Sequence, residues 1–259
     1  MPSERSTTAT TVITHNIGDS TGHLVPVERV VGLYRNGRLA DVIVMQEVRS
    51  QGQMLALRRD LRRRSGRDYD FVYCNRISVG ILSVRAFSVP RVFVAPSSPL
   101  RYGAFAVTVG SGADAIDIVG VHLDPVRKSR DRHGFSAALG LVVQLVEEVI
   151  GPTVRSRMAR EIHAWVSRWS SNPVIIAGDF NTVPSSTTGR FMRRHYHDAL
   201  HHTCDYRSGT YWKIHGPKPR VDFIFHSARL KRLDACVIRE EAGDHYPVLA
   251  RFRSRASGP

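Results

Sequence analysis

The stretch PVIIAGDFNTVP, Pro173 to Pro184, decides how the rest of the chain is read. Val174 to Ala177 are apolar and mostly β-branched, which suits a strand buried on both faces, and Gly178 lets the backbone turn sharply after it. Asp179 and Asn181 follow at once. If the extended geometry persists, residues two apart point the same way, so a strand end would offer two oxygen donors to a hard cation. Read alone, the stretch is equally an ordinary strand followed by a turn, because Gly, Asp and Asn are the usual turn residues. The number of other segments built the same way separates the two readings.

Working outward, Thr11 to Ile17 is a β-prone run that carries Asn16 and is broken by Gly18. Glu28 to Leu39 has helical spacing through Val27, Val30, Val31 and Tyr34. Asp41 to Met45 is a buried-type strand that delivers Gln46, Glu47, Val48 and Arg49 at its end. The helix after it has apolar positions Met54, Leu55, Leu57 and Leu61, with arginines around the remaining face. Short strands follow at Phe71 to Tyr73, Val79 to Val84, Arg91 to Val94 and Phe105 to Val109. A hairpin turn at Gly110 to Asp114 leads into Ile116 to Leu123, which carries His122. Two amphipathic helices are expected between Phe135 and Trp169, separated at Gly151 and Pro152. Beyond the central strand, Thr210 to Trp212, Val221 to Phe225, Ala235 to Ile238 and Pro247 to Phe252 read as strands. Asp222 lies inside one, and Asp244 with His245 stands just before another. Strands or strand ends thus deliver Asn16, Glu47, His122, Asp179, Asn181, Asp222, Asp244 and His245. A few polar residues at element ends serve capping and turns, but a repeated set of acids, amides and imidazoles asks for another reason. Mixed strands with intervening helices suit stacked sheets covered by helices.

Composition bounds the molecule. A chain of 259 residues with 42% hydrophobic residues can bury a substantial core. No linker or repeat divides it, so residues 11–255 read as a single domain after a frayed polar start at residues 1–10. No apolar run reaches the length of a membrane span or a signal-peptide core, which leads to the expectation of a cytoplasmic protein; a monomer is expected as well. Cys74, Cys204 and Cys236 are too few and scattered for a disulfide framework or a zinc knuckle and read as reduced. The net charge of +14 and a pI near 10.5 favour polyanionic partners: nucleic acid, anionic phospholipid or phosphorylated metabolites. Arg58, Arg59, Arg62, Arg63, Arg64 and Arg67 concentrate part of that charge, as a phosphate-contacting surface or as a merely solvated face.

The segments THNI, VIVMQEVR, VGVHLDP, VIIAGDFN, PRVDFIF and GDHYPV, in this order from Thr14 to Val248, resemble the motif series of the endonuclease/exonuclease/phosphatase superfamily. GDFN with a later DHYPV is the specific pairing, and QEVR with DHYPV is most similar to the pancreatic-type deoxyribonuclease branch. The resemblance implies a four-layer α/β/β/α sandwich of two mixed β-sheets flanked by helices. It also implies a metal-dependent phosphodiesterase or phosphatase site at one end of the sheets.

Under that resemblance, Glu47 is the principal ligand for Mg²⁺, with Mn²⁺ or Ca²⁺ as alternatives, because hard cations take oxygen donors. Asn16 and Asp244 join it as metal ligands, with Asp179 and Asn181 close by. His245 takes part in proton transfer with water, oriented by Asp222, and His122 lies across the phosphate, binding it or protonating the leaving group. Arg49, Asn181 and His122 contact substrate. Without the resemblance, Asp222 reads as a structural ion pair and His122 as a hydrogen-bonded core histidine. The remaining histidines read as surface residues, and a loop near Asp198 accounts for His195, His197, His201 and His202 without a metal.

One departure stands out. The deoxyribonuclease pattern has a glutamate on an earlier strand to orient the histidine corresponding to His122, and Phe71 to Val84 contains no carboxylate. The sequence-based expectation is therefore metal-dependent phosphoester hydrolysis, with DNA favoured as substrate. A phosphatase or phospholipid phosphodiesterase of the same superfamily and a non-catalytic binding module are the alternatives.

Overall fold

Alternation along the strands sends one set of apolar side chains between two sheets and the other set out against helices, and this parity organises the architecture. The computed structural model describes residues 9–19, 25–32, 39–125, 151–213 and 218–255. In chain order the first strands are β1 (Thr10–Asn16), β2 (Val42–Gln46), β3 (Asp70–Cys74), β4 (Val79–Ser83), β5 (Arg91–Val94) and β6 (Gly103–Val109). They are followed by β7 (Ile116–His122), β8 (Val174–Asp179), β9 (His197–Asp198), β10 (Asp222–His226), β11 (Leu230–Val237) and β12 (Val248–Ser254). They form two six-stranded sheets, ordered β11-β12-β1-β2-β4-β3 and β5-β6-β7-β8-β10-β9. Both are mixed. β1 and β2 are parallel, as are β7 and β8, and the other pairings are antiparallel.

Val12, Val44, Val79, Ile118, Ile175 and Ile224 fill the space between the sheets and are wholly buried or nearly so. Burying each such side chain is worth about 1.5–3 kcal/mol. The outer face of the first sheet, with Ile13, Ile43 and Leu82, packs on the helices α1 (Val27–Gly32) and α2 (Gln51–Ser65). The outer face of the second sheet, with Val119, Ile176 and Phe223, packs on α3 (Val154–Trp169) and α4 (Thr187–His195). Side-chain hydroxyls cap three helices: Ser50 accepts from Gln53 N, Thr153 from Ser156 N and Ser186 from Gly189 N. The four layers expected from the sequence are present. No helix among the described residues is long and apolar enough to cross a membrane.

Several local expectations are corrected. Gly178 does not begin a turn but stays inside β8. A Cβ there would lie 2.0 Å from the carbonyl oxygen of Val121 on β7, so the glycine permits close strand approach. Thr210 to Trp212 is no strand; only Tyr211 forms an isolated bridge, to His245. The region around Asp198 is not simply a loop, since α4 and β9 lie there. Leu55 is half exposed rather than part of the buried face of α2. His15 and His226 are buried, not surface residues. Of the helix expected from Glu28 to Leu39, the described part is α1, Val27–Gly32, and residues 33–38 lie outside the described residues. The first of the two helices expected after Phe135 also lies outside them.

The arginine cluster takes a definite place. α2 starts just after Glu47, and its 15 residues run back about 22 Å along the sheet. Arg67 then donates to the carbonyls of Leu39 and Ala40, ahead of β2. The C-terminal half of α2 is therefore at the opposite end of the sheets from Glu47. Asp60 pairs with Arg63 and Arg64, and Arg58 lies 3.6 Å from Asp70, so carboxylates absorb part of that charge.

Candidate active site

Parity that buries Ile116 and Ile118 between the sheets puts His122 on the same face of β7. Ile175 and Ala177 do the same for Asp179 on β8, Ile224 for Asp222 on β10, and Val12 for Asn16 on β1. Register lines them up. His122 and Asp222 are both partners of Asp179, so three functional side chains stand in a row across β7, β8 and β10. The site is where the inter-sheet core runs out of apolar residues and polar ones take over.

Cross-sheet hydrogen bonds close the cluster. Asn16 Nδ2 donates to Glu47 Oε1 at 3.1 Å and to Asp179 Oδ2 at 3.0 Å, while Asn16 Oδ1 accepts from Gly18 N at 2.9 Å. A Cβ on Gly18 would meet Glu47 Oε2 at 1.9 Å, so the carboxylate is seated against bare backbone. Glu47 and Asn181 both adopt left-handed backbone, φ 56° and 50°, as do Ser78, Arg101 and His202, strain of order 1–3 kcal/mol each. The extended geometry expected from Asp179 to Asn181 is thus broken. Asn181 N donates back to Asp179 Oδ1 at 2.8 Å, and its Nδ2 donates to the Leu123 carbonyl at 2.9 Å.

His245 Nδ1 lies 2.8 Å from Asp222 Oδ2, with both side chains buried. Its Nε2 faces Asp179 Oδ2 at 3.9 Å and Asp244 Oδ1 at 3.8 Å. Burial alone would push the proton off this ring, but the Asp222, Asp179 and Asp244 carboxylates outweigh it and lift the pKa to about 10. Burial, helped by Asp222, raises Asp179 to about 7 against the bonds from Asn181 and Asn16. His122 is dominated by burial and drops to about 4, although Glu47 pulls the other way. Asp222 Oδ1 and His122 Nδ1 are buried with no hydrogen-bond partner. Arg49 is exposed beside the site.

The donor set fits a hard divalent cation. Asp179, Asp222 and His245 bring ligand atoms within 4.8 Å of one another, with the Glu47 carboxylate and the Asn16 amide bonded into the same cluster. A carboxyl held near neutral pH among other acids, and an orphaned carboxylate oxygen, are what crowded anions show without a counter-charge.

Residues with no evident sequence signal complete the surroundings. Thr210 Oγ1 accepts from the backbone N–H groups of Val221 and Asp222 at 2.9 and 3.0 Å, and the Thr210 carbonyl accepts from Tyr246 N at 2.7 Å. It thereby clasps the Asp222 strand to the His245 loop. The buried Arg220 makes a bidentate pair with Asp198 that fixes the approach to β10. Tyr102 stacks on His122.

Among known proteins, the family model described as Endonuclease/Exonuclease/phosphatase family matches residues 13–245. No curated protein sequence matches. Solved structures share the fold. TDP2 of D. rerio, complexed with single strand DNA product, has a TM-score of 0.67 at 17% identity, covering 95% of this chain and 100% of that one. The human Nocturnin catalytic domain with bound sulfate anion gives 0.65 at 15%, covering 95% and 94%. Beta toxin from Staphylococcus aureus gives 0.61 at 15%, covering 95% and 100%. At these identities the likeness is one of fold.

Proposed function

Since the chain belongs to the endonuclease/exonuclease/phosphatase family, we propose that it is a divalent-metal-dependent hydrolase of phosphodiester bonds whose substrate is DNA. The observation that carries this reading is the buried His245–Asp222 bond of 2.8 Å with Nε2 aimed at the Asp179 side of the cluster. It is the arrangement that general acid–base work needs, a ring nitrogen facing the reacting atoms and a carboxylate fixing the other nitrogen.

Glu47, Asn16 and Asp244 would hold the cation beside the Asp179–Asp222–His245 cluster, Mg²⁺ by the oxygen character of the donors. Bound there, it supplies positive charge that offsets the phosphoryl oxygens and weakens the carboxylates' hold on the His245 proton. His245 Nε2 accepts a proton from the attacking water. Asp222 keeps Nδ1 protonated and stabilises the imidazolium that results. Asp179 and Asn181 shape the pocket for the phosphate, with His122 across it. DNA is favoured by the net charge of +14, by the exposed Arg49 two residues beyond Glu47, and by the DNA product held in the TDP2 structure.

A substrate panel with Mg²⁺ tests the reading: supercoiled plasmid, single-stranded DNA, RNA, a nitrophenyl phosphodiester and inositol phosphates, each repeated in excess chelator. Metal-dependent cleavage of DNA is expected. Turnover of monoesters alone would overturn the choice of substrate, and full turnover in chelator would overturn the metal.

A further inference from the structure

The His122 ring has the burial of a core residue and a backbone hydrogen bond with Ile77, but one of its nitrogens is left unpaired. It is 2% exposed, and its Nδ1 has no hydrogen-bond partner. Torsion about the bond to an imidazole is broad, so a ring with one nitrogen unpaired still depends on packing to set its plane. Tyr102 supplies that packing, with ring centroids 4.3 Å apart and planes 29° from parallel.

Tyr102 is itself held by a network that the proposed chemistry leaves unused. Its N–H donates to Ser98 Oγ at 2.8 Å, and its carbonyl accepts from Ala95 N at 3.0 Å. Ser98 Oγ donates to Asp124 Oδ1 at 2.5 Å, and the buried Arg155 donates to the Asp124 carbonyl at 3.0 Å. Asp124 is two residues beyond His122. The contacts therefore close a ring from His122 through Asp124 and Ser98 to Tyr102 and back to His122. Ser98 and Asp124 are both buried, so the ring is sheltered from water competition.

Building on the phosphodiesterase reading above, we propose that Tyr102 is the positioning residue for His122. Its stacked ring fixes the imidazole toward the scissile phosphate, in place of a carboxylate partner on the strands Phe71 to Val84. The phenol hydroxyl is not needed for this, and the ring face is.

The test compares Tyr102→Phe, Tyr102→Ala, His122→Ala and the double variant Tyr102→Ala/His122→Ala. It reads kcat and KM on a DNA oligonucleotide with Mg²⁺, and the imidazole proton resonances of His122 by NMR. Tyr102→Phe is expected to stay within about twofold of wild type, whereas Tyr102→Ala lowers kcat by about ten- to a hundredfold, the scale of a misplaced catalytic group. In the His122→Ala background the same truncation should cost almost nothing further, since the two act as one unit. The His122 ring protons, shifted by the tyrosine ring current, should move in Tyr102→Ala and stay in Tyr102→Phe. An equal loss with and without His122, or a large loss in Tyr102→Phe, would overturn the proposal. If wild type cleaves no substrate, the phosphodiesterase reading fails separately. The positioning role then rests on inorganic phosphate, which should perturb the His122 resonances in wild type and Tyr102→Phe and leave them unmoved in Tyr102→Ala; equal perturbation in all three would refute it.

Discussion

The side-chain amide of Asn16 donates to Asp179 Oδ2 at 3.0 Å, a bond that joins the end of β1 in one sheet to the end of β8 in the other. The same nitrogen serves Glu47, so one amide stands between two carboxylates. Asn16→Ala removes both bonds and leaves the acids facing each other in a buried space. The metal-free protein should lose about 1–3 kcal/mol in denaturant unfolding, the usual cost of buried acceptors left unpaired. An unchanged midpoint with unchanged slope would show that the cross-sheet bonds carry no net stability.

Glu47→Gln keeps the shape of the residue and its left-handed backbone while removing the charge. Turnover should fall by at least about a hundredfold at any Mg²⁺ concentration. Thermal unfolding should also lose the upward shift that Mg²⁺ gives to wild type, because a ligand that binds only the folded state stabilises it. A variant still stabilised by Mg²⁺ as strongly as wild type would remove Glu47 from the cation site.

Much of this site was legible in the sequence because each residue ends a strand whose apolar neighbours announce its parity. VIIAGD and IDIVGVH place Asp179 and His122 on the same side as the isoleucines that face the other sheet. The same rule applied to DFIFH puts His226 between the sheets with Ile224, so parity alone accounts for its burial. Tyr102, Ser98 and Thr210 were not readable, since they reach the site through loops and non-local bonds that leave no period in the sequence. α4 was hidden by Gly189 and by Arg193, Arg194 and His195 in its last turn, which dilute its apolar face. Asn181 followed the turn chemistry of its own left-handed φ rather than strand alternation.

Substrate binding should depend on salt. For single-stranded DNA with about five phosphate contacts, affinity should fall on the order of a hundredfold between about 50 and about 200 mM salt. Arg49→Ala should weaken binding and reduce the salt slope by about 0.7 while leaving kcat close to wild type. Fluorescence anisotropy in Ca²⁺ or chelator measures both. Flat salt dependence would point to a small phosphorylated substrate instead.

His226 provides a pH test away from the cation cluster. Burial first, then His197, Arg232 and Arg255, outweigh the Ser227 carbonyl and lower its pKa from 6.5 to about 4. The unfolded chain therefore binds the proton more readily, so this histidine's stability contribution is complete above pH 6.5 and is lost as pH falls toward 4. His15 and His122, also near 4, act in the same sense, while Asp179, raised to about 7, opposes them below neutrality. His226→Phe should flatten the acid-side fall by about 1–3 kcal/mol relative to wild type, with no change in slope above pH 6.5. Equal acid limbs in the two proteins would mean that His226 is protonated without penalty.

The central claim is that His245 and Asp222 form one proton-transfer unit acting on a phosphodiester. Its most direct measurement is the initial rate of DNA cleavage at saturating Mg²⁺ for His245→Ala, Asp222→Asn and the double variant, with circular dichroism to verify folding. His245→Ala should remove nearly all turnover. Asp222→Asn should do almost as much, because an amide in place of the acceptor favours the wrong tautomer. Combining the two should cost little beyond the worse single change. Losses that multiply in full, or either single variant retaining wild-type turnover, would contradict the account.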